Sequence, residues 1–308
     1  MKKIIIISFL LSAFIGLKAQ QEAQFSHYSF NTQAINPAYA GSRDALTITG
    51  LHRSQWVGFD GAPTTQTLTA HTPILSDKIG IGLSVLNDKI GPSNNTSLFA
   101  DFAYRLPVSA KGTLAFGLKA GFNLASIDLT DIDIDNFDPD NSFSSDLSGE
   151  FAPNFGAGIY YHTDTWYAGV SVPKLIENTL GTDARGGDII EEQRHYWFIA
   201  GTVFPLSQNI KLKPTTFVQV TEGAPIVLDL TGMFIFHEKL ELGGLFRTGD
   251  AIGILAGYNI TPQLRVGYSF DFSYTNTTFR HNGGSHEVML RYDFIFKNSE
   301  KITSPRYF

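Results

Sequence analysis

The residues of this chain with the means to do chemistry are eight histidines, a crowd of aspartates and a set of arginines inside otherwise apolar stretches. The histidines are His27, His52, His71, His162, His195, His237, His281 and His286, and no two have the spacing of metal ligands on one helix. His281 and His286 flank Gly283-Gly284 and read as polar loop residues. Asp128, Asp131, Asp133, Asp135, Asp138 and Asp140 make an oxygen-rich stretch that resembles alternating calcium ligands in part. It lacks the central glycine and terminal glutamate of an EF-hand, so the reading is a solvated external loop. Glu191, Glu192 and Arg194 read as surface charge. The chain has no cysteine, which excludes disulfide frameworks, cysteine-held clusters and zinc fingers. It also lacks a Walker loop, a dinucleotide fingerprint, G-x-S-x-G and H-E-x-x-H. The expectation is a protein without catalytic residues, cofactor or metal.

Arg105, Arg247, Arg265 and Arg291 are different, because each sits on the polar side of a stretch with period two. Across residues 285–296, Val288, Leu290, Tyr292, Phe294 and Phe296 point one way, while Glu287, Arg291 and Asp293 point the other. Residues 263–274 repeat the pattern, with Arg265 and Asp271 opposite Leu264 to Tyr274. So do residues 95–108, with Asp101 and Arg105 opposite Leu98, Phe102 and Tyr104. Asp101, Asp271, Glu287 and Asp293 are the expected partners of these arginines. Such a ladder lines a pore or supports a plug, and the structural role is the favoured one.

The elements that hold this ladder are long strands. The period predicts fourteen: 45–56, 64–74, 78–90, 95–108, 112–128, 152–163, 165–175, 195–206, 209–222, 226–238, 239–249, 251–261, 263–274 and 285–296. They exceed the usual soluble strand and suit tilted membrane strands. Their connections sort by parity. Turns near 75–77, 109–111, 164, 207–208, 237–239 and 262 are short, whereas 129–151, 176–194 and 276–284 are long. Short turns on one side and long loops on the other mark a transmembrane barrel. Closure follows from physics, since an open sheet in lipid would leave edge N–H and C=O groups unpaired.

Composition agrees. Charged residues are 17%, aromatics 13%, and acids exceed bases 29 to 23, which argues against nucleic acid as a partner. The mean hydropathy is -0.02, as expected when an apolar exterior surrounds a polar interior. Residues 1–19 read as an export signal, with Lys2 and Lys3 before the apolar run Ile4 to Leu17 and Ala19 at the cut. The layout is thus a signal peptide (1–19), an aromatic segment (20–44), the barrel (45–296) and a periplasmic tail (297–308). Both termini are expected in the periplasm, with the long loops outside. Trp56, Tyr196 and Trp197 are read as interface aromatics.

Residues 20–44 precede the first strand yet carry Phe25, Tyr28, Phe30, Ile35 and Tyr39. A solvated tail has no use for so many aromatics, so the segment is expected to fold against the barrel or into its periplasmic mouth. Asn36-Pro37 and Gly41-Ser42 mark turns within it.

The stretches at 24–42 and 51–59 resemble the PorP/SprF family of outer-membrane proteins of the type IX secretion system. Gln24, Phe25, Ser26 and Tyr28 match its opening run, with His27 in place of the usual glutamine. Asn36, Pro37, Ala38, Tyr39, Ala40 and Gly41 match its N-P-A-x-A-G signature, and Arg53, Gln55 and Trp56 its first-strand motif. Gly284, Ser285, His286 and Glu287, followed by Leu290, Tyr292 and Phe294, are similar to its ending. The resemblance implies a non-enzymatic outer-membrane component. It would dock or anchor a large secreted, adhesin-like surface protein through that cargo's C-terminal domain, and some members are linked to gliding motility. Implied partners are the cargo, other secretion components and outer-membrane lipid. The alternative is a transport barrel for small hydrophobic solutes, or a porin-like channel.

Overall fold

The computed structural model describes residues 22–74, 78–128, 146–182, 188–274, 283–295 and 307–308. The export signal, most of the acidic 128–140 stretch, His281 and most of the C-terminal tail lie outside these residues.

Fourteen strands form one closed antiparallel barrel. They are β1 (Leu46–Ser54), β2 (Thr64–Ile74), β3 (Ile79–Ile90), β4 (Ser93–Pro107), β5 (Thr113–Ile127), β6 (Leu147–His162) and β7 (Trp166–Val172). They continue with β8 (His195–Thr202, resumed after Val203 as Phe204–Pro205), β9 (Ile210–Thr221), β10 (Val227–Phe236), β11 (Leu240–Arg247), β12 (Ala251–Asn259), β13 (Leu264–Ser273) and β14 (Ser285–Phe294). Each strand pairs with the next, and β1 closes the ring on β14 from Leu46↔Phe294 to Ser54↔His286. A separate hairpin, Thr179–Thr182 with Asp188–Glu191, stands in the β7–β8 connection. Closure leaves no barrel edge unpaired, which is the condition for crossing a bilayer with strands. Among the described residues no helix is long and apolar enough to cross a membrane.

The strand period sorts side chains inside-out relative to a soluble domain. Leu118, Phe155, Ile254 and Leu290 stand exposed on the outer wall, while Thr69, Asn123, Asp229 and Glu287 are buried inside. The core therefore lies in the lumen. Phe25, Tyr28, Phe30, Ile35 and Tyr39 join wall residues Tyr160, Tyr167, Trp197, Phe217 and Met289 in one buried cluster.

The N-terminal segment enters the lumen at the mouth with the short turns, as the aromatic content suggests, and reaches further than a mouth plug. Asp44 and Arg43 lie at the short-turn end, beside Arg105 near the end of β4 and Asp293 near the end of β14. Glu22 lies at the long-loop end, 2.8 Å from Lys174 just beyond β7. Between them the chain makes a short helix, α1 (Thr32–Ile35), and a single 3-10 turn at Pro37–Tyr39. The segment thus spans the lumen from one mouth to the other, so Glu22 and Phe308 lie at opposite mouths, whereas the sequence reading places both termini on one side.

Candidate functional site

The signature Asn36 to Gly41 has a mechanical reason to be what it is. The Asn36 side chain accepts a hydrogen bond from the Ala38 N–H (2.9 Å), starting the 3-10 turn in which Pro37 takes the first position. Its amide nitrogen donates to the carbonyls of Ile159 (3.1 Å) and Val170 (3.3 Å) on the wall. Tyr39 packs edge-on against His71 and Tyr160. Ala38 and Ala40 are buried, and Gly41, at φ +76°, donates its N–H to His71 Nδ1 (3.1 Å). Gln33 adds a tie that sequence reasoning missed, donating to the Ala70 and Leu83 carbonyls and to Asp101.

Higher in the lumen, Tyr28 stacks on Phe217 and its hydroxyl meets Thr215 (3.0 Å) and Thr231 (3.1 Å). Phe25 is buried near Arg247, whose Nη2 donates to its carbonyl (3.3 Å). The Ser26 and His27 N–H groups both donate to Glu287, at 2.8 and 2.7 Å. Arg53 reaches the same place, 2.6 Å from Asp271 and 3.3 Å from Glu287. All three of these charged side chains are buried.

The eight lumen charges picked from the strand period, Asp101, Arg105, Arg247, Arg265, Asp271, Glu287, Arg291 and Asp293, are all buried inside. None pairs with another of the eight as expected. Arg105 pairs with Asp44, Asp101 with Lys119, Arg247 with Asp229, Arg265 with Glu241, and Asp293 with Arg43. Asp271 and Glu287 share Arg53. Periodicity fixes which face a residue takes, but not its height in the barrel or which neighbour is within reach. The missed partners Lys119, Asp229 and Glu241 were on polar strand faces and open to the same parity rule. Arg43 and Asp44 lay in the segment preceding the barrel.

Three further expectations need correction. Trp56 does not end β1. It lies beyond Ser54 at φ 46°, half-buried, with Gln55 beside it as an acceptor for Arg53 Nε (3.3 Å). Trp197 is not an interface aromatic, because its parity turns it inward onto Phe217, and only Tyr196 stands on the outer wall. Glu192 is not a free surface charge. Asn123, Asn154 and Asn178 donate to it, and Lys174 stands 3.7 Å away. At the same mouth burial alone would raise the Glu22 carboxyl, but the charge of Lys174 overrides it and holds Glu22 below its ordinary value.

Each mouth holds a cavity. The long-loop vestibule is about 720 Å³, lined by Glu22, Gln24, Arg53, Trp56, His195 and Ile226 among others. The short-turn cavity is about 380 Å³. Tyr307 and Phe308 sit at the short-turn side. Arg43 donates to the Phe308 oxygen (2.6 Å), and the Phe308 ring meets Tyr167 at 4.6 Å. Among the described residues no group of three or more His, Asp or Glu side chains is placed to hold a metal ion.

A plug-filled, closed barrel with this signature has a matching family. The profile of "Type IX secretion system membrane protein PorP/SprF" matches residues 17–292. This chain belongs to the PorP/SprF family. The match takes in the lumen segment and every barrel strand, up to Tyr292 in β14. No curated protein matches the chain.

Among solved structures, this PorP/SprF barrel is similar to the monoaromatic hydrocarbon channel CymD. The TM-score is 0.51 at 11% identity, over 92% of this chain and 97% of that one. The toluene transporter TbuX of Ralstonia pickettii gives 0.49 at 10% identity, over 86% and 93% of the two chains. The outer-membrane protein Omp33 of Acinetobacter baumannii gives 0.45 at 12% identity, over 82% and 100%. At these identities the CymD likeness speaks to fold alone, and the PorP/SprF architecture is that of an outer-membrane barrel.

Proposed function

We propose that this PorP/SprF protein is a non-enzymatic outer-membrane docking component of type IX secretion. In this reading it anchors a large secreted surface protein through that protein's C-terminal domain. The observation that carries the proposal is the lumen segment, which occupies the barrel from Asp44 at one mouth to Glu22 at the other. A barrel filled over that length is suited to holding a partner at its rim rather than passing a chain through its bore. The long-loop mouth faces outside in this reading, by the parity of its connections. It offers the vestibule and a rim of exposed apolar residues, Val57, Phe59, Ile90 and Ile226. Apolar groups at a wet rim are the usual raw material of a protein interface.

The short-turn mouth then faces the periplasmic part of the secretion machine. Adhesin-type cargo and a link to gliding are the finer form of the proposal. Deleting the gene tests it. The expected result is loss of one or a few proteins from the cell surface, with other secreted proteins unaffected. Normal surface attachment of every secreted protein, with defective uptake of a small hydrophobic solute, would replace docking with transport.

A further inference from the structure

Arg265 on β13 and Arg291 on β14 stand directly opposite each other across the two strands. Both side chains point into the lumen and both are buried. Like charges in directly opposed positions repel, and a guanidinium taken out of water is costly unless it is paired. Arg265 has Glu241 at 2.7 Å. Arg291 has no hydrogen bond or ion pair with any described residue, and its Nε and Nη1 are buried without an acceptor.

A third cation, Lys213 on β9, meets them around an aromatic ring of the plug. The Phe30 ring lies 4.0 Å from the Arg265 guanidinium, 4.2 Å from Lys213 Nζ and 5.8 Å from Arg291. Lys213 donates to the Tyr307 carbonyl (2.5 Å), a neutral acceptor, and Asp293 is taken up by Arg43. Among the described residues Lys213 and Arg291 therefore make no ion pair of their own, and share Glu241 and Asp293 with Arg265 and Arg43. Arg265 and Arg291 open on the 380 Å³ cavity at the short-turn mouth, whose wall also carries Arg43, Lys239, Glu238, Glu241 and Asp293, while Lys213 lies buried behind it.

We propose that this cavity binds a phosphate-class oxyanion, with Arg291 as its main contact and Arg265 beside it. The wall carries four cations, Arg43, Lys239, Arg265 and Arg291, against three carboxylates, Glu238, Glu241 and Asp293, and Arg291 is the buried cation left without an ion pair among the described residues. Guanidinium groups present the planar forks of donors that phosphate oxygens accept. The source is free phosphate or the phosphate of a lipid headgroup at the barrel rim. The site stands on its own geometry and does not depend on the docking reading.

Full-length protein in phosphate-free detergent is the material for the test. Thermal unfolding is followed by tryptophan fluorescence while inorganic phosphate, and separately glycerol phosphate, is titrated against chloride at equal ionic strength. A ligand that binds the folded state raises the midpoint in a saturable way. The expected result is such a rise in the wild type, its loss in Arg291→Met, and partial retention in Arg291→Lys. Without phosphate, Arg291→Met melts no lower than wild type, because it removes an unpaired buried charge. A rise with both probes assigns free phosphate, and a rise with glycerol phosphate alone assigns a headgroup. Broadening of the phosphate phosphorus resonance by wild-type protein reads the site directly should Arg291→Met not fold. No rise and no broadening with either probe, or an equal rise in wild type and Arg291→Met, overturns the proposal.

Discussion

Gly117 on β5 lies so close to Ala38 of the lumen segment that a Cβ built on the glycine would stand 2.1 Å from the Ala38 nitrogen. The same holds where Gly80 meets the Ala40 carbonyl, at 1.9 Å, and where Gly158 meets Asn36 Oδ1, at 2.2 Å. These wall glycines form the seat of the Asn36–Gly41 signature. At Gly117 and Gly80 a side chain has to displace backbone, and at Gly158 it meets the Asn36 amide and the Pro37 ring.

Gly117→Val is expected to unseat the segment and cost about 1–3 kcal/mol, the range for overpacking a close-packed interior. Gly232→Ala is the control, since nothing lies within 4 Å of a Cβ at that position. Unfolding midpoints of the purified variants check this, with the loss confined to Gly117→Val.

Removing residues 24–41 is expected to turn a closed barrel into a conducting one. The buried side chains Phe25, Tyr28, Phe30 and Tyr39 leave the lumen with the segment, and the wall charges become wet. Planar-bilayer recordings decide. The intact protein stays silent and the deletion variant conducts steadily. Steady conductance by the intact protein would contradict a filled lumen.

The course of the segment puts Glu22 at the long-loop mouth. With that mouth outside, an epitope placed directly before Glu22 is expected to bind antibody on intact cells. Binding only after the outer membrane is opened would reverse the orientation. This outcome was not legible in the sequence. The strand period gave each side chain's face, and loop parity gave the two sides of the barrel. The path of residues 22–44 has no period to read. Its aromatics called for burial, yet how far into the barrel it goes is set by contacts that pattern does not show, such as Gln33 with Asp101, Ser26 with Asp271 and Glu22 with Lys174.

The lumen ion pairs were half legible for the same reason. Arg53 was picked as a motif residue, yet it answers Asp271 and Glu287 because barrel closure brings β1 next to β14 and within reach of β13. Arg53→Met leaves two buried carboxylates facing one another without their cation. It is expected to cost about 3–5 kcal/mol, the range for breaking a buried ion pair from one side. Denaturant titration measures it. Replacing Ser26, which donates to Asp271 at 2.5 Å and accepts from Arg53 at 2.8 Å, by Ala should cost less, about 1.5–3 kcal/mol, the range for hydrogen bonds to charged groups.

The tie between Glu22 and Lys174 gives the long-loop mouth a pH dependence. Glu22 is held below the ordinary glutamate value, so its contribution is complete above that value and fades as pH falls through the lowered one. Lys174 is raised by the charges of Glu22 and Glu192, which outweigh the lowering effect of burial. Its contribution is complete below the ordinary lysine value and fades as pH rises through the raised one. Hydrogen exchange at residues 22–25 should therefore show constant protection, after correction for intrinsic rates, across neutral pH. The protection should be lost only toward the acid and alkaline extremes.

The most direct test of the account is site-specific photocrosslinking from position 226 in living cells. Ile226 is exposed on the rim of the long-loop vestibule. The predicted product is an adduct with the C-terminal domain of a large secreted protein, reduced when that domain is deleted from the cargo. Absence of any cargo adduct from this position, in cells whose secretion is intact, would contradict docking at this mouth.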